Sequence, residues 1–141
     1  MNKIDPEITV FLSSHFVLSL ATSKNNKPYS ANCYYLFNED NHELIFSSDI
    51  KTKHAQYFML NKHVSATISV PSSDIEKIQG VQIVGEIEPI IDSDKAFYNQ
   101  LYIDHFPIAK DMKLSLWSLK LSFIKMTDNS ISFGHKVFWE K

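Results

Sequence analysis

The strongest constraint on the fold is a strict alternation of residue types between positions 64 and 70. Val64, Ala66, Ile68 and Val70 are apolar, and each residue between them is Ser or Thr. Successive side chains of a strand point to opposite faces, so this pattern predicts a strand with one buried and one solvated face. Such one-sided burial is typical of antiparallel sheets.

Further segments carry β-branched and aromatic residues between polar turns, which also predicts strands. They span residues 16–22, 29–37, 44–48, 78–91, 117–126 and 136–139. In the fifth of these, Trp117, Leu119, Leu121 and Phe123 are expected to share one face. Gly80 and Gly85 are expected at bulges or at close approaches between strands.

Three helices are predicted around the strands. The first is capped by Asp5, has Pro6 in its first position and ends near Ser13 or Ser14. The second is capped by Thr52 and runs to residue 60, and the third is capped by Ser93 and runs to residue 102. Antiparallel strands with peripheral helices predict a mainly β fold, in which closure into a small barrel removes exposed strand edges.

Composition narrows the classes of function. The chain has 141 residues, so residues 1–141 are expected to form a single domain. The net charge is only -2 and all 14 basic residues are lysine, which argues against nucleic acid as a partner. The single cysteine, the absence of a signal pattern and the absence of a long apolar run predict a cytoplasmic protein without a membrane span.

A first candidate site lies at the junction of the third strand and the second helix. Ser47 and Ser48 end the strand, and Lys51, Thr52 and Lys53 begin the helix. Unpaired N–H groups and the helix dipole favour an anion at such a position, so a phosphate is a candidate ligand. The alternative is that Thr52 only caps the helix and that both lysines are solvated.

A second candidate lies in residues 29–37. Asn32 offers donors and acceptors that suit the imide edge of a planar ring. The alternative is that Asn32 satisfies neighbouring backbone groups and that the tyrosines fill a core or an interface. No metal site is expected, because the six histidines have no ligand spacing, and Cys33 lacks a nucleophile signature.

Four segments in order resemble the pyridoxamine-phosphate-oxidase-like FMN-binding split barrels and, within them, the uncharacterised YhbP-like family. The segments are residues 30–37, 51–56 and 80–87, and residues 127–129 together with Phe133, Gly134 and Trp139. The resemblance implies a split β-barrel of six to seven antiparallel strands, a homodimer and two FMN sites at its interface.

The resemblance also implies a set of cofactor-binding residues. Residues along the flavin ring would be Asn32, Cys33 and Tyr34, the phosphate would be held by Phe46, Ser47, Thr52 and Lys53, and further contacts would come from Gln82 and Asn129. Arginines that many split-barrel oxidases carry at the positions of Asn32 and Thr52 are missing, and so is their arginine-bearing C-terminal substrate segment. True pyridoxamine phosphate oxidase activity is therefore not expected.

The resulting expectation is an FMN-dependent oxidoreductase that acts on an unknown small molecule, with no assignable catalytic acid or base. His54 is either a proton donor near the phosphate or a surface histidine of the helix. Two alternatives remain open. One is a non-enzymatic split barrel that binds flavin or haem, and the other is a dimeric barrel without a cofactor.

Overall fold

Seven antiparallel strands form one sheet in the computed structural model, which describes residues 2–141. The strands are β1 (Val17–Lys24), β2 (Lys27–Asn38), β3 (Glu43–Ser47), β4 (His63–Ser69), β5 (Gln79–Pro89), β6 (Leu116–Asp128) and β7 (Lys136–Glu140). The helices of the described residues are α1 (Pro6–Ser14), α2 (Lys53–Leu60) and α3 (Lys95–His105), with short 3-10 turns between elements. The mainly β prediction is confirmed.

The sheet closes on itself through β6. Its strand order is β3-β2-β1-β4-β5-β6-β7, and β3 also pairs with β6. Residues 116–120 of β6 pair with β3, whereas residues 123–127 pair with β7. One edge of β6 is thus divided between two partners, and the resulting ring of strands is a split barrel.

The alternation in β4 is confirmed by its burial. Val64, Ala66 and Ile68 are buried, and the Ser and Thr residues between them are exposed. The turn between β1 and β2 is a two-residue hairpin in which Asn25 and Asn26 both have positive φ angles. Asn tolerates this conformation and the resulting turn matches the twist of the flanking strands.

A bulge between β5 and β6 overturns one expectation. Val84 pairs with Phe123 and Gly85 pairs with Leu121, so Ser122 is the extra residue. The insertion reverses the alternation, and Ile124 is therefore buried in place of Phe123. The prediction that Phe123 continues the face of Leu121 is wrong, because the bulge interrupts the alternation of β6 between these two residues.

The caps of α1 and α2 are as predicted, but the cap of α3 is not. Asp5 accepts from the backbone N–H of Glu7 and Thr52 accepts from that of Ala55. The prediction that Ser93 caps the third helix is wrong, because a 3-10 turn over Asp92–Asp94 leads directly into α3. The 2.9 Å ion pair between Lys95 and Asp92 supports this junction.

Helix α3 packs on the outside of the barrel against β2 and β3. Its Tyr98 and Tyr102 form a small core with Leu36, Ile45 and Ala109, separate from the main core inside the barrel. Each such buried apolar side chain contributes roughly 1.5–3 kcal/mol to stability. This second core fixes the segment after α3, which includes a 3-10 turn over Pro107–Asp111, beside the end of β3.

A buried carboxylate also ties α3 to the barrel. Glu43 has no exposed surface and accepts hydrogen bonds from Tyr98, Ser118, Lys120 and Asn38. Burial raises the pKa of this carboxyl, but the hydrogen bonds outweigh burial, with that of Lys120 the largest among them. The net pKa of Glu43 is lowered.

Candidate functional site

A cavity of about 640 Å³ opens where β3 ends and the segment after α3 passes by. One side consists of strand and loop residues and the other of the segment that follows α3. Its lining residues are Asn32, Cys33, Tyr34, Ser47, Ser48, Asp49, Tyr102, Phe106, Ile108, Ala109, Met112, Lys113 and Leu114. The cavity thus combines two regions that are far apart in sequence.

The strand pairing explains why the cavity lies along β2. Pairing with β3 covers only residues 35–38 of β2, so residues 32–34 lie at a strand edge that β3 leaves uncovered. Tyr102 from α3 donates a 3.0 Å hydrogen bond to the carbonyl oxygen of Tyr34 at this edge. The helix thereby holds its wall of the cavity at a fixed distance from β2.

The wall opposite the strand edge is mainly apolar and well exposed. Ile108 is 75% exposed and Met112 is 57% exposed. Phe106 lies edge-on to Tyr34 with ring centroids 5.9 Å apart and tilted against Tyr102 at 5.0 Å. Aromatic and aliphatic groups in a cleft of this size are typical of sites for small molecules and cofactors.

A chain of polar side chains lies on the strand side of the cavity. Ser48 Oγ is 2.8 Å from Nε2 of His54 and 3.7 Å from Sγ of Cys33. The Ser48 backbone is fixed as well, because its carbonyl oxygen accepts from Nε1 of Trp117 and its N–H donates to Ser115. Ser48 therefore stands in a defined position between a thiol and an imidazole.

Burial perturbs the titratable groups around the cavity. It raises the pKa of the Cys33 thiol, although a hydrogen bond with Ser48 partly opposes this, and it lowers the pKa of His54. Burial is also the main cause that raises the pKa of Tyr102 to about 12. At neutral pH the thiol and the phenol are protonated and the imidazole is neutral, so these groups offer hydrogen bonds rather than charges.

Four of the residues predicted from sequence lie together at this cavity: Asn32, Cys33, Tyr34 and Ser47. The side chain of Asn32 is exposed, and its Oδ1 accepts a 2.7 Å hydrogen bond from Ser19 of β1. That bond leaves the amide nitrogen of Asn32 as a donor. Tyr34 is 61% exposed, whereas Cys33 is buried and faces the barrel interior.

Three other predicted residues lie next to the cavity without lining it. Phe46 is fully buried and packs against Phe58. The hydroxyl of Thr52 donates to the carbonyl oxygen of Asp49 and caps α2. The Nζ atom of Lys53 lies 4.8 Å from the ring centroid of Tyr29, above that ring.

The last two predicted residues are elsewhere on the chain. Asn129 holds a loop, because it donates to the carbonyl oxygen of Ile75 and accepts from the N–H of Gly134. Gln82 is exposed on the outer face of the sheet. Strand register places it in one cross-strand row with the following residues: Asn32, Ser19, Thr67 and Lys125. We call these five residues the outer row.

Sequence reasoning missed the second wall of the cavity. Tyr102, Phe106, Ile108 and Met112 come from a helix and an irregular segment that carry no recognisable motif. The available signal was the run from Phe106 to Ala109, whose apolar residues follow a helix without strand alternation. Lys113 was also missed, and it is the lysine that lines the cavity.

Two negative findings apply to residues 2–141. Within that range, no group of three or more His, Cys, Asp and Glu side chains is arranged to hold a metal ion. Each helix in the same range is too short or too polar to cross a membrane.

Solved structures share this fold at low sequence identity. A haem-binding protein of Mycobacterium smegmatis matches with a TM-score of 0.75 and 19% identity, over 90% of this chain and 53% of that one. A FAD-binding protein of Mesorhizobium loti matches with a TM-score of 0.70 and 17% identity, over 84% of this chain and 89% of that one. A protein of the pyridoxinephosphate oxidase family from Clostridium acetobutylicum, related to general stress protein 26, matches with a TM-score of 0.66 and 14% identity, over 95% and 92%. The predicted split-barrel fold is confirmed.

Sequence relatives extend over the whole chain, although no protein-family model matches it. A UPF0306 protein of Yersinia enterocolitica is 34% identical over 134 residues, which cover 95% of this chain and 91% of the relative. A UPF0306 protein of Photorhabdus laumondii is 32% identical over 93% of this chain and 92% of its own length. One of Yersinia pestis is 33% identical over 100% and 97%. With this identity along its full length, the chain belongs to the UPF0306 family.

Proposed function

We propose that this protein is an FMN-binding flavoprotein, with the flavin held in the cavity beside residues 32–34 and near the interface of a homodimer. The observation that carries the proposal is the meeting of Asn32, Cys33, Tyr34 and Ser47 at one cavity, although they come from two strands. The sequence resemblance implies Asn32, Cys33 and Tyr34 as contacts of the flavin ring and Ser47 as a contact of the phosphate.

The cavity suits a flat ring with one polar edge. Asn32, Ser47 and Ser48 line the strand side and carry side chains that can form hydrogen bonds. Phe106, Ile108 and neighbouring residues supply an apolar wall opposite them. Bound FMN would supply hydride or electron transfer, while the residues of this chain bind the ring, orient it and exclude water.

The phosphate would lie near the start of α2. To bind it, Lys53 would leave the rings of Tyr29 and Tyr57, a cation–π contact worth roughly 0.5–1 kcal/mol at an exposed site. Lys113 already lines the cavity and offers a second cation. Since the chain has no arginine, the phosphate contacts would be those of point charges rather than bidentate pairs.

The outer face of the sheet supports a homodimer. Besides the outer row, this face carries exposed apolar side chains that include Tyr34 at 61%, Val84 at 48% and Phe138 at 58%. A polar row flanked by exposed apolar groups is consistent with an interface between two copies. In such a dimer, Gln82 of one copy would come within reach of the other copy's flavin.

A non-enzymatic flavin or haem protein is the second candidate, because one structural neighbour is a haem-binding protein. The lining residues favour flavin over haem. None of the described residues that line the cavity is a histidine, and the raised pKa values of Cys33 and Tyr102 make both poor anionic ligands for iron.

The first test is an absorbance spectrum of freshly purified protein, followed by fluorescence titration with FMN and by a separate titration with haem. We expect saturable quenching of FMN fluorescence. Ile108→Ser should weaken FMN binding by about ten- to a hundredfold, since burying one Ile is worth roughly 1.5–3 kcal/mol. Ile91→Ser is the matched control, because Ile91 is 61% exposed and lies away from the cavity.

Three outcomes would count against parts of the proposal. No flavin binding at about 1 mM would reject the flavoprotein, and equal losses in the two Ile variants would reject the cavity as its site. Failure of the flavin-loaded protein to oxidise reduced nicotinamide would favour the non-enzymatic binder.

For the dimer, Val84→Lys should lower the mass measured by sedimentation, and Val10→Lys on α1 should not.

A further inference from the structure

Ser48 belongs to the cavity lining, and its hydroxyl contacts a titratable side chain behind the cavity. Ser48 lines the cavity, and its Oγ lies 2.8 Å from Nε2 of His54, which does not itself line the cavity. On its other side Ser48 is 3.7 Å from Sγ of Cys33. Nε2 of His54 also lies 3.5 Å from Thr52 Oγ1, so Ser48 is the cavity-lining member of its two hydroxyl contacts.

The tautomer and the protonation of His54 together determine which way the Ser48 hydroxyl can donate. A neutral imidazole with its proton on Nδ1 accepts the Ser48 proton at Nε2, which leaves only lone pairs of Ser48 for the cavity. A protonated imidazole must instead donate from Nε2 to Ser48 Oγ. The Ser48 proton is then free to point at a ligand in the cavity or at the Cys33 sulfur.

We propose that Ser48 donates a hydrogen bond to an acceptor atom of the bound ligand and that His54, whose neutral ring carries its proton on Nδ1, is the positioning residue that turns Ser48 into this donor when it is protonated. The proposal rests on the proposed function, since the acceptor atoms would be those of the flavin ring. Such a ring presents carbonyl oxygens and ring nitrogens at its polar edge. Flavin affinity should consequently increase as the pH falls.

Other ionisable groups near this pair must be taken into account. They are Cys33 on β2, Asp49 and Lys51 in the loop before α2, Lys53 on α2 and Lys113 across the cavity. Lys24 is the one ionisable residue of β1. Its neighbour Ser23 accepts a hydrogen bond from Asn61, which follows the C-terminal end of α2, whereas His54 is at the N-terminal end. Cys33 stays protonated in the pH range of interest, because burial raises the pKa of its thiol.

The pH window follows from the environment of His54. Burial lowers the pKa of this imidazole below its ordinary value of 6.5. Affinity should thus be flat above neutrality and should rise by about two- to tenfold as the pH falls below 6.5, the range of one net hydrogen bond. By reciprocity, flavin binding should raise the pKa of His54.

Riboflavin is the probe for the test, because a phosphate group titrates near pH 6 and would confuse an FMN experiment. We would titrate riboflavin against the full-length chain between pH 5 and 8, with Ser48→Ala and His54→Gln as variants. The wild type should bind more tightly at low pH, and Ser48→Ala should bind with no such increase. The riboflavin affinity of His54→Gln should also be independent of pH, since the Gln amide donates to Ser48 at every pH.

A second measurement uses only the wild-type protein. The ring signals of His54, followed by NMR as the pH is varied, should give a higher pKa with saturating riboflavin than without it. An unchanged pKa, or an equal pH slope in Ser48→Ala, would overturn this inference while leaving the flavin site intact. No riboflavin or FMN binding at any pH would instead reject the proposed function, and this inference with it.

Discussion

The hydroxyl of Tyr98 donates a 2.5 Å hydrogen bond to Oε1 of Glu43, and this contact joins α3 to the barrel. Glu43 is fully buried, so water cannot replace the hydrogen bond that its carboxylate loses when the Tyr98 hydroxyl is removed. Tyr98→Phe should lower the free energy of unfolding by about 1.5–3 kcal/mol, the scale of a hydrogen bond to a charged group.

Urea denaturation would measure the effect of Tyr98→Phe. Tyr57→Phe is the matched control, because Tyr57 is only partly buried and packs through its ring face against Lys53. Equal stability of the two variants would show that Tyr98 contributes to α3 only through packing.

The same carboxylate predicts the response of the protein to acid. The pKa of Glu43 in the folded protein lies below its ordinary value of 4.5, so its ionised form stabilises the fold above that pH. This contribution is lost as the pH falls below about 4.5, with a slope of up to ~1.4 kcal/mol per pH unit. We expect Glu43→Gln to be less stable at pH 7 and to lose less stability on acidification.

Unfolding midpoints between pH 3 and 7 would test this, with Glu88→Gln at an exposed position as the control. Some acid sensitivity should remain in Glu43→Gln, because the pKa of Asp128 is also lowered; burial raises it, but hydrogen bonds from Ser130 and Gln79 outweigh burial. An unchanged slope in Glu43→Gln would contradict the assignment.

Gly85 occupies the bulge between β5 and β6. A Cβ atom at this position would lie 2.8 Å from Cδ1 of Leu119 and closer still to the backbone oxygen of Lys120. Backbone atoms cannot rotate aside, so Gly85→Ala should cost about 1–3 kcal/mol of stability. Gly80→Ala should cost less, because its nearest contact is 3.1 Å; the reverse order in thermal melts would refute this account.

Two lysines compete for the role of phosphate contact. Lys53 lies over the ring of Tyr29, and Lys113 lines the cavity. Lys53→Ala should weaken FMN binding by about 1.5–3 kcal/mol and leave riboflavin binding unchanged, since only FMN carries the phosphate. Lys113→Ala is the matched variant. If only Lys113→Ala loses affinity for FMN while keeping its affinity for riboflavin, the phosphate contact is Lys113 and not Lys53.

Local sequence pattern was sufficient to predict most of the barrel. The alternation in β4, the Asn25-Asn26 turn and the cap by Thr52 each depend on a few neighbouring residues, and all three are confirmed. Prediction failed where distant residues decide the outcome. The bulge at Ser122 depends on how β6 lies against β5, and no local pattern reveals it.

The candidate site was predictable only on its strand side. Asn32 and Ser47 lie in regular elements whose position follows from the fold, whereas Ile108 and Met112 reach the cavity because α3 docks on the barrel. That docking depends on Glu43 and Tyr98, which are 55 positions apart. Long-range contacts of this kind leave no periodic signal in one sequence.

The pairing of β3 with β6 also bears on the order in which the protein folds. Glu43 and Lys120 meet across this junction although 77 positions separate them. Closing the ring of strands therefore carries the entropic cost of closing a long loop. The two sides of the cavity, residues 47–49 and residues 112–114, flank that same junction. During refolding, the ability to bind a ligand should therefore return with the slowest folding phase. The recovery of binding would then report when the barrel closes.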